Sequence, residues 1–135
     1  MSDISVTATS VVQSTGATTN SALAGTTITA GQAIYVDTSG VVQKATAGGT
    51  AVQAAAIGIA LNGGAVNQPI LYQVTGDVTI GATVVKGTQY VVSAATAGNI
   101  APQADLTTGN YVTYLGYAKS TTVLTLGIKQ TGFTL

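Results

Sequence analysis

The sequence lacks most of the residue types that carry out chemistry in proteins. It has no cysteine, histidine or tryptophan, and it also has no arginine or glutamate. The absence of cysteine and histidine excludes disulfides, thiol chemistry and most zinc, copper and haem ligation. It also removes the usual general base and any serine triad. Without arginine there is no bidentate clamp for phosphate or carboxylate. The sequence therefore predicts a protein that is not an enzyme and that holds no cofactor or metal.

The remaining carboxylates are spread along the chain, at Asp3, Asp37, Asp77 and Asp105. They form no evident pair of the kind that glycoside hydrolysis requires. We expect Asp37 and Asp77 to stabilise turns, because aspartate competes well for turn backbone. A Ser–Lys dyad and a Lys–Asn crosslink remain possible on composition, but no spacing favours either.

Charge is scarce. Charged residues make up 6% of the chain, with four lysines against four acidic residues, whereas ordinary globular proteins have about 25%. Four scattered lysines cannot build the basic patch that nucleic acids or anionic membranes require. We therefore expect neither as a partner. The start of the chain shows no signal peptide, and no apolar run reaches the length of a membrane helix, so we expect synthesis in the cytoplasm.

The residues that are abundant predict an all-β fold. Hydrophobic residues make up 46% of the chain, and runs rich in Thr, Val, Ile and Tyr alternate with Gly, Asn, Ser and Asp clusters, as in a small β-barrel or β-sandwich. The clearest hairpin turns at Thr38-Ser39-Gly40, with Gly40 in the left-handed conformation. The predicted strands are 4–9, 26–29, 33–37, 41–45, 52–61, 69–75, 78–80, 83–85, 89–93, 99–101, 111–118 and 123–129.

The first 25 residues differ from the rest. They are rich in Ser, Thr, Gly and Ala with little periodicity, and we interpret residues 1–25 as an extended N-terminal arm or long loop. The arm is either a flexible terminus or a segment that docks on a neighbouring subunit. Residues 26–135 are then a single β domain.

That domain contains an internal repeat. Residues 27–37 align with 83–93, 39–42 with 97–100, 57–60 with 115–118, and 70–76 with 126–132. The pseudo-repeats 27–82 and 83–135 favour a pseudo-two-fold barrel or sandwich, because two copies are too few for a solenoid. Residues 50–56 could form a helical turn by propensity, but their partner 108–114 is strand-like, and we predict strands for both.

Candidate contact residues come from two places. The segment 111–118 is apolar on both alternating faces, so it is either buried on both sides or meets another subunit. The candidates for contact with a partner or a neighbouring subunit are the arm residues Ile4, Val6, Val11 and Val12 together with Tyr111, Tyr114 and Tyr117.

The runs 24–40, 57–62 and 79–93 resemble the tailed-bacteriophage head decoration, or capsid cement, proteins, and the resemblance covers residues 25–135. It implies a small β-rich protein on the outer surface of an expanded phage head, where it reinforces the shell against internal DNA pressure. The implied partners are the major capsid protein and copies of the chain itself, as a homotrimer. By the same resemblance, residues 1–25 would be the docking arm and the mature location would be the virion.

Two other functions remain open. One is a phage tail or fibre subunit, which would be present in few copies per particle. The other is a carbohydrate-binding β module, for which the tyrosines would supply a platform.

Overall fold

The computed structural model describes residues 3–135, so the first two residues of the predicted arm lie outside the description. One antiparallel sheet, curled into a half-barrel, dominates these residues and confirms the all-β prediction. The elements are β1 Val11–Gln13, β2 Thr18–Leu23, β3 Ala33–Val36, β4 Val42–Lys44, α1 Ala51–Ala54, β5 Gly58–Ala60, β6 Pro69–Ile80, β7 Gln89–Val92, β8 Ile100–Pro102, β9 Tyr111–Ala118 and β10 Val123–Thr134. Short 3-10 helices lie at Ala8–Ser10 and Gln103–Asp105.

The two halves of the sheet have the same connectivity. The main path runs β4-β3-β5-β6-β10-β9-β7-β8, so the halves meet at the β6–β10 pair. Ile34 pairs with Lys44 in the first half, and its aligned counterpart Tyr90 pairs with Pro102 in the second. The alignment fails at the last strand. Leu126 is aligned with Ile70 but does not take the equivalent position in the sheet, since it already pairs with Gly116 of β9. The shift arises because residues 119–122 form a shorter connection between β9 and β10 than residues 61–68 form between β5 and β6.

The long strand β6 holds the halves together. Thr75 pairs with Thr18 of β2 and with Gly127 of β10, which therefore lie on opposite edges of β6. The prediction of two separate strands here is wrong, because the chain continues through Gly76. That glycine has φ +95°, a conformation that costs glycine little and lets the strand bend without ending.

The described part of the predicted arm belongs to the sheet. Both β1 and β2 pair with β6, Ala24 forms a bridge with Val42 of β4, and the Ile4 N–H donates to the Ile100 carbonyl of β8 at 2.9 Å. The segment thus contacts both outer strands of the main path. Almost all of β2 is exposed, so its pairing depends on backbone hydrogen bonds. No alternation of side chains marked it in the sequence.

The predicted strand 52–61 is wrong in its first half. Residues Ala51–Ala54 form α1, which begins with a capping box. The Gln53 N–H donates to Thr50 Oγ1 at 3.3 Å, and the Thr50 N–H donates to Gln53 Oε1 at 2.9 Å. These bonds satisfy backbone donors that a helix start leaves free. The partner segment from Tyr111 is a strand, as predicted.

Among the other local predictions, three strands are wrong and one hairpin is confirmed. The segments 4–9, 26–29 and 83–85 are not strands, and Ile28 makes one isolated bridge, with Gly64. The hairpin between β3 and β4 is confirmed, with Gly40 at φ +82°.

The core divides into two clusters of buried side chains. The smaller lies in the first half and includes Ile28, Ile34, Val42 and Ile70. The larger fills the second half, reaches into the first, and includes Tyr90. Within residues 3–135, no helix has the length and apolar character needed to cross a membrane.

Candidate contact surface

The outward side of the sheet across β1, β6, β10 and β9 forms a surface that we call the outer face. It consists of Val12, Thr79, Val123, Thr125 and Tyr117. Strand register places these residues side by side, since Val12 and Val123 both pair with Thr79, and Thr125 pairs with Tyr117. Successive residues of a strand point to opposite sides of a sheet, and the alternate residues of these strands belong to the buried core.

The predicted contact residues of the arm differ in their exposure to solvent. Val12 is 57% exposed on the outer face. Its neighbour Val11 points the other way into the core, and Ile4 and Val6 are partly buried against the same core. Of the four arm residues, Val12 is therefore the most exposed.

The three predicted tyrosines lie along β9 but differ in exposure. Tyr117 is 44% exposed on the outer face, whereas Tyr111 and Tyr114 are half-buried. The Tyr114 ring packs against the core, and its hydroxyl accepts a hydrogen bond from Gln103 Nε2 at 3.2 Å. Tyr117 therefore joins Val12 as an exposed residue of the predicted set, while Tyr111 and Tyr114 are partly accessible.

Residues 3–10, which we call the N-terminal strap, are tied to the body at several points. The Asp3 carboxylate accepts hydrogen bonds from Ser93 Oγ at 2.7 Å and Asn99 Nδ2 at 3.0 Å. The Thr7 N–H donates to the Gly81 carbonyl at 2.8 Å. A Cβ on Gly81 would lie 2.5 Å from the Thr7 carbonyl oxygen, so glycine is what permits this close approach.

An ion pair borders the outer face at Thr125. Lys119 Nζ lies 2.7 Å from Asp77 Oδ2, and Thr125 Oγ1 donates to Asp77 Oδ1 at 2.8 Å. The hydrogen bond from Lys119, followed by that from Thr125, lowers the pKa of Asp77, and the same contact raises the pKa of Lys119. The predicted turn role of Asp77 is wrong, because the residue lies within β6. The pair leaves this part of the surface neutral.

Asp37 has the predicted turn role. Its Oδ1 accepts from the Ser39 and Val41 backbone N–H groups at 2.8 and 3.3 Å, and its Oδ2 accepts from Gln43 Nε2 at 3.0 Å. The Gln43 hydrogen bond is the largest cause that lowers the pKa of Asp37. This carboxylate therefore serves the β3–β4 hairpin.

Sequence reasoning missed the exposed end of β10. Phe133 is 75% exposed and Leu135 is 56% exposed. Beyond Gly127, β10 leaves β6 and, within the described residues, pairs with β9 alone. The available signal was the single phenylalanine of the chain, placed among polar residues near its end. Large exposed apolar side chains of this kind mark contact sites when they cluster.

Among residues 3–135 there is no group of three or more carboxylate, histidine or cysteine side chains that could hold a metal ion. Comparison with family models, with curated proteins and with solved structures found no match for this chain.

Proposed function

We propose that the chain is a structural virion protein that binds the outer surface of a phage capsid and stabilises the shell. The observation that carries the proposal is the outer face: a neutral sheet surface that presents Val12 and Tyr117 to solvent. A partner that covers it gains mainly from apolar burial and hydroxyl contacts, since its one ion pair is internally satisfied. That chemistry suits another protein surface.

The low charge supports crowded packing. With a formal net charge of zero, neighbouring copies do not repel one another, and near-zero charge favours association. Many weak contacts on one shell bind strongly together through avidity. The proposed partners are thus the major capsid protein, through the outer face, and further copies in a homotrimer, for which exposed Phe133 is the candidate contact.

The proposal is tested on particles from the source culture, by cryo-electron microscopy combined with mass spectrometry that counts this chain per particle. We expect many copies at regular positions on the head surface. A few copies at the tail would support a tail or fibre subunit instead, and the absence of the chain from every particle would reject a virion role.

A variant pair tests the surface itself. Val12→Asp adds a charge on the outer face, whereas Val66→Asp adds one at an equally exposed site in the β5–β6 loop, since the two valines are 57% and 55% exposed. Sedimentation of each protein with heads that lack it should show binding lost for Val12→Asp and kept for Val66→Asp. Equal binding by the two variants would contradict the assignment of the outer face.

A further inference from the structure

A groove runs along the side of the second half, next to the outer face, since its lining residue Gln89 pairs with Tyr117. It has two hollows of about 580 and 320 Å³, within the range of roughly 300–1,000 Å³ for small-molecule sites. Gln89 and Gln103 line both hollows and so make them continuous. The larger hollow is also lined by Thr88, Pro102, Ala104, Leu106 and Leu135, and the smaller by Tyr114, Gly127 and Lys129.

The polar lining consists mainly of neutral groups that can both donate and accept hydrogen bonds. Two amides, a threonine hydroxyl and a tyrosine hydroxyl surround the groove, with Lys129 as the one charged lining residue. The Gln103 amide donates to Tyr114, while the Gln89 amide has no hydrogen-bond partner within residues 3–135. Such groups match a ligand rich in hydroxyls, because each hydroxyl also donates and accepts.

The backbone around the groove is not open to an extended peptide. β7 lies between β8 and β9 and is paired on both sides. The free side of β8 carries the N-terminal strap through the Ile4–Ile100 hydrogen bond, and Pro102 has no N–H to offer. Strand addition, the usual way to bind an extended peptide at a sheet edge, is therefore blocked here. A ligand in the groove is therefore recognised by side chains and not by the backbone.

We propose that this groove binds a neutral oligosaccharide. The amides of Gln89 and Gln103 and the hydroxyls of Thr88 and Tyr114 hydrogen-bond the sugar hydroxyls. Leu135, which is 56% exposed, contacts the apolar face of a ring. The two connected hollows accommodate more than one sugar ring. Val12 is not a lining residue of the groove, so Val12→Asp tests the capsid contact without altering the groove itself.

Gly127 offers a blocking variant that spares the fold. A Cβ built at Gly127 meets nothing within 4 Å, and its φ is not positive, so the backbone accepts a side chain there and Gly127→Tyr adds a ring at the smaller hollow. Thr121→Tyr, at an exposed residue between β9 and β10 outside the groove, is the matched control. Gln103→Ala removes one amide from an exposed position.

The test uses the purified full-length protein with cellohexaose, maltohexaose, chitohexaose and an array of neutral oligosaccharides. We expect binding of at least one neutral sugar, weakened about tenfold or more by Gly127→Tyr and by Gln103→Ala, and unchanged in Thr121→Tyr. Binding by none of these sugars, binding unaffected by Gly127→Tyr, or binding of uncharged peptides in place of sugars would overturn the proposal. Gln103→Ala should still bind phage heads, because Gln103 lies outside the outer face, so failure here is distinct from failure of the capsid role.

Discussion

The Ser93 hydroxyl donates a 2.7 Å hydrogen bond to Asp3 Oδ1, which joins the start of the chain to the end of β7. Ser93 is fully buried, and its Oγ also accepts from the Ala95 N–H at 3.0 Å. The same carboxylate holds Asn99 beside β8. One side chain thus fixes the N-terminal strap on the second half of the sheet.

Loss of this carboxylate should loosen the strap. In Asp3→Ala, the buried Ser93 hydroxyl loses its acceptor, and we expect the free energy of unfolding to fall by about 1–3 kcal/mol. Urea unfolding measures the change, and hydrogen exchange at the Ile4 amide reports the strap directly. Ser5→Ala, on the same segment but exposed, should change neither. Equal stability of the two variants would show that the strap is held without Asp3.

The Asp77–Lys119 pair predicts a pH dependence. The pKa of Asp77 is lowered in the folded protein from its ordinary value of 3.8. Its contribution to stability is therefore present above that value and is lost as the pH falls through the lowered, folded-state pKa. The free energy of unfolding of wild type should exceed that of Asp77→Asn above about pH 5, and the difference should disappear in strong acid.

Salt provides the control for that experiment. Lys119 and Asp77 side chains are 59% and 27% exposed, so added salt should screen the pair and reduce the difference at neutral pH. A difference between wild type and Asp77→Asn that stays constant from neutral to strongly acidic pH would contradict the role of the ionised carboxylate.

A methyl group at Gly58 should disturb the contact between β5 and β6. A Cβ at Gly58 would lie 2.6 Å from the Gln73 carbonyl oxygen and 2.8 Å from Tyr72 Cδ2. We expect Gly58→Ala to cost about 1–3 kcal/mol by overpacking. Gly127→Ala, with open space around the new atom, should leave the thermal midpoint close to that of wild type. If both substitutions lower the midpoint equally, the close packing at Gly58 is not the cause.

The contribution of the α1 capping box to stability can be measured. Thr50→Ala removes the oxygen that accepts from Gln53, and loss of such a cap costs about 1 kcal/mol. Val52→Ala, which trims an exposed residue of the same helix, serves as the comparison in urea unfolding. A Thr50→Ala protein as stable as Val52→Ala would mean that tertiary contacts alone fix this turn.

Some features of the candidate surface were available in the sequence and others were not. Val12 and Tyr117 were identified as contact residues, and both are exposed on the outer face. Ile4, Val6 and Val11 looked the same as Val12 by residue type, but the strap places Ile4 and Val6 against the core, and Val11 points into the core from β1. Only the pairing of β1 with β6 decides which side of the sheet each valine faces, and that register depends on residues distant in the chain.

The sequence by itself determined the all-β class, the β3–β4 hairpin and the scarcity of chemically active groups. These depend on composition and on local turn geometry, such as the left-handed Gly40. Tertiary structure decided that residues 11–13 and 18–23 pair with β6. Exposed strands pair through backbone N–H and C=O groups, which every residue except proline carries, so no side-chain pattern in the sequence indicates this pairing.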